Sequence, residues 1–496
     1  MAIISDDYDL IEFFGVQGEA MIRPQGAMLN KMQSSSEGKE GRERKRFKFV
    51  DKYHLQGSCF ISEEVSNSLL SREKTSRAIH YQEEQNQNVL KKRDEIIDGK
   101  KAEGSPGLQL VCLLLNCASA IAEKNKSLAM NLLNKLWSRV SISGNSIERV
   151  AAYFTEALSA KFKQINPSFF YNKLLIAEQP DEKMKEPEMQ FDALVAFYRV
   201  SPFYQFAHLT ANQAIIEAFE GHSHLHIIDF DISHGIQWSS LIQSLSERED
   251  GPALCITGFG RDLNVLNATG THLSSFAKSH GLTSFEFHPF VEGSKEITAE
   301  NLQIKQEEIV AVNLVLYLNR LPNSQSSVYS RLRCIQSLKP AIVAVVEHEA
   351  NHTPTTFLTR FMESLHYYAA LFDSLDVCLP LKSAERLRIE KFHFGEKIKM
   401  SIREFDGGVD DMMKSVRETH DKWETWKTRM ERGGFLQTGL SSRCVSQAKL
   451  LLQAKQQCNS FEGGGFRVHQ RDLGKSLSLA WQDRQLILAS AWRCKT

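Results

Sequence analysis

The spacing of apolar residues divides the chain near residue 225. Between 105 and 175, apolar positions recur every three or four residues, as in Leu128, Leu132 and Leu136, and again in Val150, Phe154 and Leu158. This spacing places the apolar side chains along one face of a helix. Ser105 followed by a proline is typical of a helix start. The pattern therefore predicts an α-helical cap over 105–175.

Downstream, β-rich apolar runs alternate with segments that can form helices. Five runs lie at 225–231, 253–259, 284–290, 308–317 and 341–347. Such alternation is typical of βαβ units, which build parallel sheets. The expected fold class is α/β: a Rossmann-like, methyltransferase-like, mostly parallel sheet flanked by helices, over about 200–496.

Four later runs predict antiparallel strands that extend one edge of the sheet. They are KIKMSIREF (397–405), GFRVHQ (465–470), LSLAW (477–481) and LILASAW (486–492). The segment KWETWKTRMERGGF (422–435) predicts a helix that ends at its two glycines, because glycine readily adopts the left-handed conformation found at helix ends.

The first hundred residues have a different composition. From Gln33 to Gly104 the chain is rich in Ser, Glu, Lys, Gln, Asn and Arg, with too few apolar residues to build a core. We therefore expect a disordered regulatory tail at 1–104. Its segment SDDYDLIEFF (5–14) combines acidic and aromatic residues, as do activation segments that fold when they bind a partner. The alternative is that this segment is an ordinary solvated tail.

A short basic cluster in this tail is a candidate nuclear import signal. GKEGRERKRFKF (38–49) contains Arg44, Lys45 and Arg46. Lysine- and arginine-rich segments of this length can bind nuclear import receptors. The alternative interpretation is that this cluster is an ordinary charged surface. We therefore predict that the protein is located in the nucleus.

Charge and cysteine content exclude several classes of protein. Lys+Arg and Asp+Glu both total 60, so there is no overall basic field to attract DNA, and any contact with DNA is expected to be indirect. The nine cysteines form no CxxC pair, which favours a reducing compartment over a disulfide framework. No run reaches the roughly 18 apolar residues of a membrane span.

The turn after the first strand resembles a nucleotide-binding turn that is incomplete. A cofactor site needs several glycines there and an acid at the end of the second strand. Asp229 and Asp231 end the first strand, but the loop contains only Gly235, and the second acid, Asp262, lies past its strand. We expect no cofactor; if one binds, Asp229, Asp231 and Gly235 are its candidate contacts. The alternative is that the aspartates fix the turn and the next helix, with Trp238 packed in the core.

Two histidine patterns raise the question of a metal site. His348-Glu349-Ala350-Asn351-His352 spells HExxH, which binds zinc when a helix places both histidines on one face. Here it follows a strand and precedes Thr353-Pro354, a helix start, so we expect a loop and no metal. GHSHLH (221–226) alternates three histidines in what we interpret as a surface turn.

The helix predicted at 108–122 is apolar around most of its circumference. Leu110, Leu113 and Leu114 spell LxxLL, a motif that docks into grooves of partner proteins. We predict that these leucines bind a partner; the alternative is that they face the core, as apolar helix faces commonly do.

Longer segments resemble one family in order along the chain. LHIIDFDISHGIQWSSLIQSL (225–245) resembles the VHIID block of plant GRAS transcriptional regulators, with Leu225 in place of the first Val and Ser239 where Pro is usual. ERVAAYFTEALSAKF (148–162) and ATGTHLSSFAKSHGL (268–282) resemble the two leucine-rich blocks, 345–376 the PFYRE region, and LAWQDRQLILASAW (479–492) the SAW block. The resemblance covers 105–496.

This resemblance implies a nuclear co-regulator without catalysis. Members of the family have a methyltransferase-like core with a helical cap, pair with other GRAS proteins as homo- or heterodimers, and bind DNA-binding transcription factors. The segments 230–245 and 256–263 are similar to the scarecrow-like and nodulation-signalling branch, which implies a role in root development or in arbuscular mycorrhizal and nodulation symbiosis. The runner-up is an S-adenosylmethionine-dependent small-molecule methyltransferase.

Overall fold

The computed structural model describes residues 105–169, 186–321, 325–352, 356–402, 420–458 and 465–495. The predicted disordered tail (1–104), including Arg44, Lys45 and Arg46, lies outside the described residues. Two compact units divide the chain at 113/114, and 105–113 is the described part of the smaller one. Within the described ranges, no helix has the length and apolar character required to span a bilayer.

Within the described ranges, five helices precede the first strand, and helices and strands are interspersed after it. The helices are α1 (Pro106–Ala122), α2 (Lys126–Trp137), α3 (Ser146–Ile165), α4 (Glu186–Val200), α5 (Pro202–Ala218), α6 (Trp238–Ser246), α7 (Leu263–Ser279), α8 (Gln325–Ser337), α9 (Phe357–Cys378), α10 (Ala384–Arg388), α11 (Glu396–Ile402), α12 (Trp423–Arg432) and α13 (Ser442–Cys458). The strands are β1 (His224–Asp229), β2 (Ala253–Gly260), β3 (Phe285–Val291), β4 (Ile309–Val315), β5 (Ile342–His348), β6 (Phe435–Thr438), β7 (Phe466–Arg471), β8 (Ser476–Trp481) and β9 (Arg484–Cys494).

The strands form one mixed sheet in the order β3-β2-β1-β4-β5-β9-β8-β7, with β6 also paired to β9. Strands β1 to β5 are parallel, and the later strands are antiparallel. The order reverses at β1, so the carboxyl ends of β1 and β4 form the topological switch point, where ligands bind in open α/β sheets. The predicted α/β class is confirmed, with a larger antiparallel part than "mostly parallel" implied.

In the C-terminal half, one predicted strand is wrong and one observed strand was not predicted. The described part of the run KIKMSIREF, 397–402, does not form a strand, because it lies in helix α11 (Glu396–Ile402). Its two isoleucines, Ile398 and Ile402, are one helical turn apart and both are buried. Strand β6 was not predicted from the sequence. The helix before it was, and α12 does end at Gly433, with Gly434 at a φ of +86°.

Helices cover both faces of the sheet. One face packs in a continuous apolar cluster that includes Val312 and Val345 of the sheet, Leu332 of α8 and Trp426 of α12. The other face packs against α5, which contacts β4, β5 and β9. Helix α5 begins with Ser201 as N-cap and Pro202 in its first turn. The strands β1, β2, β4 and β5 are therefore buried on both sides, whereas the edge strand β3 is partly exposed.

The predicted N-terminal helices are confirmed. Asn145 and Glu148 form a capping box at the start of α3, where each side chain accepts a hydrogen bond from the other residue's backbone N–H. Helix α3 packs against α2, α9 and α11. The indole N–H of Trp137, at the end of α2, donates to the Ser159 hydroxyl of α3 at 3.1 Å.

A buried ion network joins α3 to the α10 region. Arg149 is fully buried, and its Nε donates to Oε1 of Glu390 at 2.9 Å. Nη1 of Arg386 donates to the same oxygen at 3.0 Å, and Arg149 also pairs with Asp376. Because a buried charge is stable only when it is paired, this network couples the helices it joins.

We predict that Arg149→Met lowers the free energy of unfolding by about 3–5 kcal/mol, since it leaves Glu390 buried beside one cation fewer. The matched control is Arg443→Met, which removes an exposed ion pair with Glu220, 2.7 Å long. This variant is expected to change the free energy of unfolding by less than about 1 kcal/mol. Denaturant unfolding of both variants measures the difference. Equal costs would contradict a special role for the buried network.

Candidate functional site

The switch point holds a buried carboxylate. Asp229, the last residue of β1, lies opposite Asn313 of β4. Its Oδ1 accepts hydrogen bonds from Asn313 Nδ2 at 3.1 Å and from the Asp231 backbone N–H at 3.2 Å. Its Oδ2 accepts from the Trp238 indole N–H at 2.8 Å. Three donors from β4, the turn and α6 therefore surround one carboxylate.

Buried amide side chains extend this network to α5. Gln237 Nε2 donates to Oδ1 of Asn313 and to Oδ1 of Asn212, both at 3.0 Å. Asn212, on α5, donates in turn to the Gln237 carbonyl at 2.9 Å and to the Ser240 hydroxyl at 3.1 Å. The network thus ties β1 and β4 to the helices on one face of the sheet.

Burial controls the acidity of this carboxyl group. It raises the pKa of Asp229 to about 6, and the hydrogen bonds from Asn313, Asp231 and Trp238 oppose the rise. Removal from water disfavours the charged form, whereas donors directed at the carboxylate favour it. The prediction that Asp229 fixes the turn and the next helix agrees with these contacts, and Trp238 is fully buried as expected.

The turn that follows rests directly on α7. Gly235 has a φ of +72°, and a Cβ at this position would lie 3.0 Å from Cγ2 of Thr269. The Thr269 hydroxyl donates to the Ser233 carbonyl at 3.0 Å. The single glycine is needed for the conformation of the turn and for its close contact with α7.

The protein's own side chains fill the space beside the switch point. Gly258 of β2 lies next to Asp229 in the register, and a Cβ there would be 2.8 Å from Cγ2 of Ile232. On the opposite face, three aromatic rings stack at centroid distances of 4.6 and 4.4 Å: Phe230, Phe259 and Phe290.

The other two acidic residues near the turn, Asp231 and Asp262, also have partners within the protein. Asp231 forms an ion pair with Arg320. Asp262, the displaced acid after β2, is the N-cap of α7 and accepts from the Asn264 backbone N–H at 2.8 Å. Of the candidate cofactor contacts, Asp229 binds the turn and the next helix, as the alternative interpretation expected, and Gly235 packs against α7, whereas Asp231 pairs with Arg320 after β4.

The HExxH sequence is not on a helix. Strand β5 ends at His348, and Glu349 and His352 follow it outside any helix. His348 Nδ1 lies 2.8 Å from the Tyr367 hydroxyl, and Glu349 accepts from the Trp423 backbone N–H at 3.1 Å. Thr353 and Pro354 lie outside the described residues, and α9 begins at Phe357.

The alternating histidines before and within β1 have different environments. His222 and His224 are exposed, whereas His226 is buried. Its neighbours are Cys255 of β2 and His288 of β3. The sequence motif therefore does not mark this cluster, whose members come from three strands.

The leucines of the LxxLL motif are buried. Leu110, Leu113 and Leu114 have relative exposures of 5%, 5% and 0%. These values agree with the alternative of a core face. The outward stripe of α1 contains Cys112, which is exposed, with Leu108 and Leu115 half-buried at helical spacing from it.

The structure defines a class of α/β protein: a mixed sheet is flanked by helices, and the protein's own side chains occupy the space beside its switch point. The GRAS domain family matches residues 110–493, and the chain belongs to it, as the resemblance predicted.

Plant proteins are similar over most of the chain. The GRAS family protein RAD1 of Lotus japonicus is 33% identical over 415 residues, covering 81% of this chain and 77% of that protein. Scarecrow-like protein 18 of Arabidopsis thaliana is 34% identical, covering 77% and 90%. The crystal structure of SCL7 of Oryza sativa has a TM-score of 0.65 and 33% identity, and covers 79% of this chain and 100% of that one.

We predict that Asp229 makes folding stability depend on pH. Its folded pKa of about 6 lies above the ordinary value of 3.8, so its contribution is fully present below pH 4 and is lost as the pH rises through 6. The loss is about 3 kcal/mol, from about 1.4 kcal/mol per pKa unit. The measurement is the unfolding free energy of the wild type and of Asp229→Asn between pH 4 and 7. The difference between the two proteins at each pH isolates the contribution of Asp229. A difference that does not vary with pH would contradict the assignment.

Proposed function

We propose that this protein is a plant transcriptional co-regulator that binds other proteins and performs no catalysis. The observation that carries the proposal is the filled switch point. Ile232 lies against Gly258, and the Asp229 carboxylate is used by Asn313 and Trp238. Membership of the GRAS family, with relatives named Scarecrow-like and DELLA, supports a regulatory role.

The competing function is methyl transfer from S-adenosylmethionine. It requires that the ligand displace Ile232 and compete for the buried carboxylate, which costs packing and hydrogen bonds. We therefore expect calorimetry of the full chain to detect no micromolar binding of S-adenosylmethionine. Micromolar binding that Asp231→Asn weakens, in a variant that melts like the wild type, would favour the enzyme.

The proposed partners are other GRAS proteins, as homo- or heterodimers, and DNA-binding transcription factors. A formal net charge of zero supports contact with DNA through those factors rather than directly. For pairing, the outward stripe of α1 (Leu108, Cys112 and Leu115) is better placed than the buried leucines. Burying an apolar side chain at an interface stabilises the complex by about 1.5–3 kcal/mol.

The finer role that we propose is regulation in root development or in arbuscular mycorrhizal and nodulation symbiosis. The segments 230–245 and 256–263, which resemble the scarecrow-like and nodulation-signalling branch, and the similarity to proteins named Scarecrow-like and SCARECROW support it. Inactivating the gene and scoring root patterning and fungal colonisation tests the two branches separately.

We predict that the two faces of α1 respond differently to charge. Cys112→Asp with Leu115→Asp is expected to leave the full chain folded and to abolish pairing with a second copy, since both changes lie on the outward side. Leu110→Asp with Leu114→Asp is expected to destabilise the fold, because both positions are buried. Circular dichroism and light scattering distinguish the results. If the second variant folds but does not pair, the LxxLL leucines are the interface.

We predict that nuclear accumulation depends on the basic cluster. Changing Arg44, Lys45 and Arg46 together to Ala, in a fusion too large to diffuse through nuclear pores, is expected to shift the protein towards the cytoplasm. Changing Lys91, Lys92 and Arg93, another basic run of the N-terminal hundred residues, is the matched control. Unchanged localisation of the first variant would show that the signal lies elsewhere.

A further inference from the structure

Three metal-ligating side chains converge near the amino-terminal end of the parallel strands, away from the switch point. His226 of β1 lies directly opposite Cys255 of β2, and His288 of β3 lies two residues further along the register, opposite Thr257. One ligand atom from each of the three residues lies within 4.8 Å of the other two. They share one face of the sheet, because side chains alternate between the two faces along a strand.

The distances between these atoms match a zinc site. Cys255 Sγ lies 3.6 Å from His226 Nε2 and 3.5 Å from His288 Nδ1. Zinc bound tetrahedrally to sulfur and nitrogen, with bonds of about 2.3 and 2.0–2.1 Å, places those two atoms about 3.6 Å apart. The two distances from the sulfur to its nitrogen partners therefore already have the values that the ion requires, and all three ligand atoms lie within 4.8 Å of one another.

A second layer of contacts orients the histidines. His226 Nδ1 lies 2.7 Å from Glu308 Oε2, so the carboxylate accepts the Nδ1 proton and leaves the Nε2 lone pair directed at the cluster. Glu308 is held in turn by the backbone N–H of Lys305, at 2.9 Å. A carboxylate at the far nitrogen of a histidine is the usual support of a zinc ligand. His288 lacks such a hydrogen bond: its Nε2 is 3.7 Å from the Glu286 carboxylate, which is near it but beyond hydrogen-bond distance.

The cluster is buried but reachable. His226 and Cys255 are buried, whereas the His288 side chain is 25% exposed, so solvent approaches the cluster from the β3 side. Without a metal, His226 Nε2 accepts from the Thr257 hydroxyl at 2.8 Å. A bound ion competes with that single neutral hydrogen bond.

We propose that His226, Cys255 and His288 form a three-ligand site for Zn²⁺, whose fourth position is taken by water or by a side chain of a partner. The thiolate and imidazole ligands select zinc over Mg²⁺ and Ca²⁺, which prefer oxygen. The ion links β1, β2 and β3, so it stabilises the edge of the sheet on which the switch point is built.

Cobalt provides the test, because Co²⁺ takes tetrahedral zinc sites and absorbs light where zinc does not. The full chain, purified in reductant and stripped with a chelator, is titrated with Co²⁺ alone. We expect a thiolate-to-cobalt charge-transfer band and intense visible bands at one equivalent, lost on addition of Zn²⁺. Zn²⁺ is also expected to raise the melting temperature of the stripped protein.

Variants decide which residues bind. Cys255→Ser and His288→Gln are each expected to abolish the charge-transfer band and the zinc-dependent rise in melting temperature. Cys334→Ser and His224→Gln, which change a cysteine and a histidine outside the cluster, are the matched controls and are expected to retain both. Because His288 is partly exposed, His288→Gln keeps the test decisive if Cys255→Ser fails to fold. Absence of the band in the wild type, or its persistence in the folded Cys255→Ser or His288→Gln variants, would overturn the proposal.

Discussion

The buried Asp229 carboxylate is the constraint on which the centre of this fold depends. A charge removed from water needs compensating donors, and here they come from three separate parts of the chain: Asn313 of β4, Trp238 of α6 and the backbone of the turn. Gln237 extends this hydrogen-bond network to α5 through its bond to Asn212. Strand order, turn and helix packing must all be correct at once for this group to be satisfied.

The same constraint explains why the turn keeps the shape of a nucleotide-binding fold but supports a different use. In a cofactor site the aspartate and the glycine turn face the ligand, so their polar groups are satisfied by it. Here Trp238 and Asn313 take the ligand's place at Asp229, and Ile232 takes the space beside Gly258. The space between Asp229 and Gly258 is thereby occupied, and the His226 cluster lies towards the opposite end of the sheet.

Much of the fold was predictable because it depends on local periodicity. The five parallel strands follow from apolar runs, and α12 follows from its two terminal glycines. The error at KIKMSIREF has a specific cause: Ile398 and Ile402, four residues apart, fit both a strand and a helix, and only packing decides between them. The site was predictable in part. Asp229 and Trp238 were identified, whereas Asn212 and Asn313 carry no local signal beyond being polar residues within buried segments.

The sequence by itself determined the class of fold, the family and the position of the incomplete nucleotide-binding turn, because these depend on local spacing and on motifs that are contiguous in the chain. The tertiary structure alone decided which strands pair, and in which register. That register places His226 beside Cys255 and brings His288 to the same face. Pairing of distant strands depends on the summed burial of whole faces, and no single segment contains that information.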